Sequence, residues 1–127
     1  MTEQPFDPRT ERYVSLATFR RDGRKVATPV WVAQADDRYY VFSEGKAGKV
    51  KRLRNSDRAQ LAACDFRGNL KSNWMDARAR LIDDPAVVSR AHRALREKYG
   101  WQMAVGDLFS RATGRFNKRA FIEIELE

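Results

Sequence analysis

The sequence predicts a mainly β fold, a small antiparallel barrel of six strands with helices at its periphery. Three observations predict it: short segments alternate apolar and polar residues, Gly, Asp and Asn signals separate these segments, and two helix-periodic segments precede the last strand. The chain has 127 residues, of which 43% are hydrophobic and 33% charged, so it is long enough to bury the core of one domain.

The first two predicted strands form a hairpin. Residues 13–20 alternate in polarity, Asp22-Gly23 is a strong hairpin signal, and residues 24–34 form the returning strand. Pro29 lacks a backbone donor, so it confines this strand to an edge, to a bulge, or to a place where a ligand replaces the neighbouring strand.

Three further strands are predicted at residues 38–43, 59–66 and 71–82. The second of these is almost wholly apolar and is therefore expected at the centre of the sheet. A short helix precedes it, and Asn55 is expected in the left-handed conformation at the end of that helix. Trp74 stands near the start of the fifth strand.

Two helices and a sixth strand complete the chain. The first helix starts at Asp84-Pro85, a cap followed by a first-turn proline, and ends at Gly100. Residues 101–112 form the second helix, and its apolar stripe is expected to pack on the sheet rather than to line a ligand site. This stripe consists of Trp101, Val105, Leu108, Phe109 and Ala112. Residues 119–126 form the last strand.

Composition limits the possible functions. The formal net charge is +8, with a single cysteine and a single histidine, Cys64 and His92, so no internal disulfide or cysteine metal cluster can form. We expect no bound metal, and we expect Cys64 in the core and His92 on a helix surface. No apolar run is long enough to span a membrane, and the first residues lack a secretory pattern, which predicts a cytoplasmic protein. Residues 1–11 are expected to form an N-terminal arm, and residues 12–127 the folded domain.

A basic corner follows the third predicted strand. Between Glu44 and Arg58 stand six cations and two anions, a local balance of +4. Ser43 offers a hydroxyl, Gly45 and Gly48 allow close backbone approach, and the start of a helix favours anions. These features predict a phosphate site, although the same cations also fit a solvent-facing helix, and no Walker pattern is present. The cations are Lys46, Lys49, Lys51, Arg52, Arg54 and Arg58.

Four stretches together resemble a known family. They are Tyr13-Val-Ser-Leu-Ala-Thr-Phe, Val26-Ala-Thr-Pro-Val-Trp-Val, Tyr40-Val-Phe-Ser-Glu-Gly-Lys-Ala-Gly-Lys-Val-Lys-Arg-Leu-Arg and Leu61-Ala-Ala-Cys-Asp-Phe-Arg-Gly. Over residues 12–126 the chain resembles the flavin-reductase-like split β-barrel family that includes pyridoxamine 5′-phosphate oxidase. It is most similar to the actinobacterial branch that uses the deazaflavin coenzyme F420. The resemblance implies a six-stranded split β-barrel that binds cofactor and transfers a hydride between coenzyme F420 and a small organic substrate.

The resemblance also implies which residues hold the cofactor. The tricyclic ring would lie along the second strand, at Ala27, Thr28, Pro29, Val30 and Trp31. The phosphate would be bound by Ser43 and Lys49, together with Lys46, Lys51 and Arg52. The pyridoxamine phosphate oxidases carry an arginine beside the matching lysine, where this chain has Gly48. They also carry cations in the ring-binding strand, where this chain has Ala27, Thr28 and Val32. Both departures disfavour pyridoxamine phosphate oxidation and ordinary use of FMN.

A homodimer is a further implication, because the family builds each site between two subunits. Trp74, Met75 and Arg78 would reach the partner's cofactor, although Trp74 also fits strand packing and Arg78 a solvated face. A monomer would also be expected to expose Trp74 and the small side chains of Ala77 and Ala79. The polyglutamate tail of coenzyme F420 suits a basic groove that runs from Lys46 to Arg58, with Arg78 and Arg80 nearby.

The sequence is also compatible with three alternative functions. The same fold could use FMN as an oxidase or reductase, or could bind a cofactor without turnover. A pI near 10.1 with aromatic strands also fits a module for single-stranded nucleic acid, but the aromatic residues form no recognisable stacking motif. No catalytic acid is assigned, because the cofactor would supply the hydride.

Overall fold

In the described residues the fold is a curled antiparallel sheet of seven strands with three helices. It was obtained as a computed structural model that describes residues 7–8, 10–112 and 119–127, with only the backbone described at 109–111. None of the helices in these ranges is long and apolar enough to cross a membrane. In chain order the elements are β1 (Val14–Phe19), β2 (Lys25–Val30), β3 (Ala33–Ala35), β4 (Arg38–Glu44), α1 (Gly48–Leu53), β5 (Arg58–Ala63), β6 (Met75–Ile82), α2 (Pro85–Tyr99), α3 (Trp101–Ala112) and β7 (Arg119–Leu126).

The strand order shows how the sheet curls. It runs β2-β1-β5-β6-β7-β4-β3, and every neighbouring pair is antiparallel. β2 and β3 lie at opposite edges although only two residues separate them in the chain, and β2 also contacts β4. The sheet therefore forms a half-barrel, which confirms the mainly β fold with peripheral helices.

The prediction of six strands is wrong because the segment 24–34 is divided. At Val32 the backbone N–H donates to the Tyr99 hydroxyl at 2.9 Å, and the carbonyl accepts from Lys98 Nζ at 2.6 Å. These two side chains of α2 occupy backbone groups that a continuous strand would use for its ladder. The chain thus leaves one edge of the sheet as β2 and enters the other as β3.

The main core fills the concave face of the half-barrel. It contains Val14, Leu16, Val30, Val32, Val41, Leu53, Ala59, Leu61, Ala77, Ala79, Ile122 and Ile124. Ala77 and Ala79 are 3% and 0% exposed within the single chain, so the expectation that a monomer would expose them is wrong. They are covered because β6 is a central strand between β5 and β7, and because Leu53 of α1 packs over this face. Cys64 is also buried, as predicted.

The helices match their predicted positions, but α3 buries a different face. Asp84 accepts the N-terminal cap bond from the Ala86 N–H at 2.9 Å, and Gly100 ends α2 with φ of +58°. The predicted α3 stripe is wrong: Trp101 is 74% exposed, and Val105, Leu108 and Ala112 are also exposed, while the Phe109 side chain lies outside the described residues. Among the described side chains of α3, the buried ones are instead Met103 and Asp107.

Smaller corrections concern the loops. Asn55 is not left-handed, since the one described non-glycine residue with positive φ is Asp36 at 58°, in the turn before β4. β5 ends three residues early at Ala63, and β6 begins only at Met75, because the intervening loop folds back through a single bridge between Cys64 and Leu70. Of the predicted arm, residues 1–6 and 9 lie outside the described residues.

Candidate functional site

The basic corner is built where β4 gives way to α1. Ser43 stands near the end of β4, and Lys49 lies in the first turn of α1, so that Lys49 Nζ donates to Ser43 Oγ at 3.4 Å. Lys49 is half-buried, and this burial, followed by the charge of Arg52, lowers the pKa of Lys49. The ammonium is therefore held where water solvates it poorly and where an anion would stabilise it.

Arg52 supplies a second cation to the same corner. Its Nε donates to Thr18 Oγ1 of β1 at 2.6 Å, and Thr18 is fully buried, so the guanidinium is fixed against the sheet. A Cβ atom added to Gly48 would lie 2.7 Å from Arg52 Nη1. The missing side chain of Gly48 thus leaves the space that the guanidinium occupies. Arg52, one turn further along α1, thus places a positive charge beside Gly48.

The two cations lack an acidic counterpart. No carboxylate in the described ranges lies within 4.0 Å of Lys49 Nζ or of the Arg52 guanidinium. Burial and the nearby charge of Arg20 lower the pKa of Arg52, as expected where cations face one another. A phosphate group would neutralise these charges and accept from the Lys49 ammonium, the Arg52 guanidinium and the Ser43 hydroxyl.

β2 offers an open surface and an unsatisfied polar atom. Among the described strands it pairs with β1 alone, which makes it an edge strand, and Ala27 and Pro29 are exposed on its outer face. On the inner face, Thr28 shares its side of the strand with the core residue Val30. Thr28 Oγ1 is buried and has no hydrogen-bond partner among the described residues. A buried hydroxyl without a partner costs about 1–3 kcal/mol, so its presence fits a strand that meets a polar ligand.

Several predicted site residues do not join this corner. Lys46 and Lys51 are exposed and make no described side-chain contact with Ser43 or Lys49. Trp31 stacks on Tyr99, with ring centroids 4.4 Å apart and planes 7° apart. The Trp31 ring therefore belongs to the core beneath α2.

Arg78 and Trp74 are occupied elsewhere in the chain. Arg78 lies on the outer face of β6, where it contacts Asp57 at 2.9 Å and Glu127 at 3.0 Å, and Asp57 raises its pKa. Trp74 is half-buried, and Lys25 Nζ of β2 lies 4.3 Å from its ring centroid. Trp74 is thus near the edge strand, whereas Arg78 points away from the corner.

The sequence did not reveal two supporting side chains. Thr18 orients Arg52, yet a threonine in an alternating strand carries no signal of that role. Tyr99 accepts from the Val32 N–H and donates to the Arg12 carbonyl at 2.7 Å, and its burial raises its pKa to about 12. In the sequence Tyr99 only precedes Gly100, the residue predicted to end the helix, and nothing there indicates this role. Tyr99 acts by fixing the direction in which the chain leaves β2.

A buried ion-paired cluster lies beneath α3. Asp107 contacts His92 Nε2 at 2.7 Å and the Arg119 guanidinium at 2.6 Å, so His92 is not on an open helix surface as expected. Arg119 also lies over the Phe42 ring, 4.7 Å from its centroid. The cluster joins α2, α3 and β7. Within the part of the chain that the structure describes, no three His, Cys, Asp or Glu residues are placed to hold a metal ion.

Comparison with known proteins gives one matching family and several solved structures of similar fold. The sequence profile described as pyridoxamine 5′-phosphate oxidase matches residues 6–127. Among solved structures, the heme storage protein HutZ from Vibrio cholerae is similar with a TM-score of 0.71 and 13% identity, covering 94% of this chain and 84% of HutZ. A FAD-binding protein from Mesorhizobium loti is similar with a TM-score of 0.59 and 21% identity, covering 94% of this chain and 82% of that protein. At these identities the likeness is one of fold. No curated protein matches the chain in sequence.

Proposed function

The chain belongs to the pyridoxamine 5′-phosphate oxidase family, and from that premise we propose that it is an oxidoreductase that binds a phosphorylated tricyclic cofactor of the flavin type. The observation that carries the proposal is the corner formed by Ser43, Lys49 and Arg52. Lys49 donates there to the Ser43 hydroxyl, Arg52 is held nearby by Thr18, and neither of these poorly solvated cations has a described acidic partner. A structural ion pair would have carboxylates at this place, whereas a binding site for an anion leaves the cations unpaired.

The proposed position of the ring is along β2. Its edge carries backbone groups that no strand pairs, and Pro29 removes one donor from that edge. Thr28 Oγ1 is a buried hydroxyl available to a polar edge of the ring, and the exposed Ala27 and Pro29 add apolar surface. When bound, the cofactor supplies the hydride chemistry. The residues of this chain bind its phosphate, orient its ring and exclude water from one face of it.

The proposed cofactor is coenzyme F420, with FMN as the alternative. The departures at Gly48, Ala27 and Thr28 disfavour FMN, although Arg52 restores one cation near position 48. The exposed Lys46 and Lys51 exceed the needs of one phosphate and are available to a polyanionic tail, to which they would add attraction within about 8 Å at physiological ionic strength. We therefore expect coenzyme F420 to bind more tightly than FMN, and to lose affinity more steeply as salt is raised.

A homodimer is part of the proposal. The exposed apolar surface of Trp101, Val105 and Leu108 supports it, whereas Ala77 and Ala79 are buried within one chain. Sedimentation equilibrium at micromolar concentration should give a mass near twice 14.7 kDa. A monomer would mean that each site is formed by one chain, and the role proposed for Trp74 and Arg78 at a partner's cofactor would be lost.

The test of the proposed function begins with calorimetric titration of the purified protein with FMN and with coenzyme F420 at two salt concentrations. Tighter binding of coenzyme F420 with the steeper salt dependence supports the cofactor assignment, and tighter FMN binding with an equal slope reverses it. Absence of binding by either cofactor contradicts the proposed function. Binding by either should then be followed by single-turnover oxidation of the reduced cofactor by candidate small organic acceptors. A cofactor that binds and never transfers its hydride would instead indicate a carrier.

A further inference from the structure

A second cationic cavity lies beside the corner, on the far side of Arg52. It is bordered by the β1–β2 hairpin and by the segment that joins α1 to β5, is partly open to solvent, and has a volume of about 340 Å³. Its polar lining is dominated by guanidinium groups and contains no carboxylate among the described residues. The polar residues that line it are Arg20, Arg21, Arg52, Asn55, Ser56 and Arg58.

The charges of this cavity are not neutralised within the chain. The two nearest acids in sequence are engaged elsewhere, because Asp22 contacts Arg24 at 2.8 Å and Asp57 contacts Arg78 at 2.9 Å. None of the four lining arginines has an acidic partner within 4.0 Å among the described residues. Four like charges around one cavity repel one another, and a bound anion would remove that repulsion.

Two of the four guanidinium groups are held in place. Arg58 lies over the Phe19 ring, with 3.9 Å between its central carbon and the ring centroid, and Arg52 donates to Thr18 at 2.6 Å. Arg20 and Arg21 also line the cavity and are exposed. The cavity therefore combines two guanidinium groups held by neighbouring side chains with two exposed ones, and guanidinium donors suit planar carboxylate and tetrahedral phosphate groups.

We propose that this arginine cavity is an anion subsite separate from the Ser43 and Lys49 corner, and that it binds a carboxylate- or phosphate-bearing group. Since one water occupies about 30 Å³ of liquid, its volume admits a diphosphate or two to three carboxylates. The anion can come from a free small molecule or from the tail of the cofactor bound at the corner, since Arg52 borders both sites. Only occupation by such a tail depends on the proposed function.

The test uses inorganic pyrophosphate and a γ-linked triglutamate as probes, titrated by calorimetry into the full chain. The double variant Arg20→Gln/Arg21→Gln removes two cavity charges and leaves Arg52 and Arg58 in place. The control Arg93→Gln/Arg96→Gln removes two exposed arginines of α2 that do not line the cavity, so it changes the net charge equally. Loss of two charge-assisted contacts should weaken binding of both probes about tenfold or more in the cavity variant, and less than about threefold in the control.

The outcomes distinguish a free anion from a cofactor tail, and they distinguish failure of the anion subsite from failure of the proposed function. If the cavity variant weakens the binding of pyrophosphate and of coenzyme F420 but leaves the binding of FMN unchanged, the cavity binds the cofactor tail. If it weakens the binding of pyrophosphate alone, the cavity binds a free anion. Equal effects of the cavity and control variants, or no binding of either probe, overturn the subsite. Failure of both cofactors to bind while pyrophosphate still does contradicts the proposed function and leaves the subsite standing. Melting curves of each variant verify that it is folded.

Discussion

Replacing Lys49 by methionine separates the role of its charge from that of its side-chain stem. Methionine keeps an unbranched chain of similar length and removes the ammonium that donates to Ser43 Oγ at 3.4 Å. The lost interaction with a phosphate is a charge-assisted hydrogen bond, worth about 1.5–3 kcal/mol. At about 1.4 kcal/mol per factor of ten, Lys49→Met should weaken binding of the phosphorylated cofactor about 10- to 150-fold.

The same substitution should affect stability in the opposite direction. Burial lowers the pKa of Lys49 relative to the unfolded chain, so at neutral pH the folded protein carries an ammonium that its surroundings disfavour. This penalty is present at pH values below the folded pKa and is lost as pH rises through it. Lys49→Met removes it altogether, so the free energy of unfolding without cofactor should be equal or higher in urea at pH 7.

The assay for Lys49→Met is fluorescence titration of cofactor, combined with urea unfolding of the free protein. Arg93→Gln, an exposed arginine of α2, serves as the control for net charge and should change the dissociation constant less than about threefold. Unchanged cofactor affinity in Lys49→Met would refute the assignment of the corner. Weaker binding accompanied by marked destabilisation would show that the ammonium stabilises the fold instead.

Three further substitutions test neighbouring parts of the account. Thr28→Val removes a buried hydroxyl that has no described partner, so the urea unfolding free energy of the free protein should rise by about 1 kcal/mol and cofactor affinity should fall; a loss of stability would contradict this. Gly48→Ala places a Cβ 2.7 Å from the present position of Arg52 Nη1 and should displace the guanidinium, weakening binding about fivefold, whereas unchanged binding would show that Arg52 is not used. Tyr99→Phe leaves the Val32 N–H without its acceptor and should lower stability by about 2 kcal/mol while retaining the Trp31 stack; an unchanged denaturation midpoint would contradict that role.

Local signals in the sequence were sufficient for most elements. Asp22-Gly23 closes the first hairpin with φ of +91° at Gly23, and Asp84 caps α2, because turn and cap preferences depend on a few neighbouring residues. The pairing of Ser43 with Lys49 was also predictable. The two residues are only six positions apart, and a strand end followed by a helix start brings them together.

The errors arose where distant residues decide the structure. The break between β2 and β3 depends on Lys98 and Tyr99, which lie 66 and 67 positions after Val32. The predicted apolar stripe of α3 is exposed because Asp107, on another face of the helix, is buried against His92 and Arg119. The spacing of apolar residues in a sequence does not reveal such a pairing. Long-range hydrogen bonds and buried ion pairs leave no periodic pattern in a single sequence.

The most direct test of the account compares ligands that differ only in their phosphate. Riboflavin and FMN share one ring, so the ratio of their dissociation constants measures what Ser43, Lys49 and Arg52 contribute to binding. Two to three charge-assisted contacts predict that FMN binds at least about 100-fold more tightly than riboflavin, and that Lys49→Met removes about 10-fold or more of this ratio without changing riboflavin binding. Equal affinities of the two ligands for the unaltered protein would contradict the claim that this corner binds the cofactor phosphate.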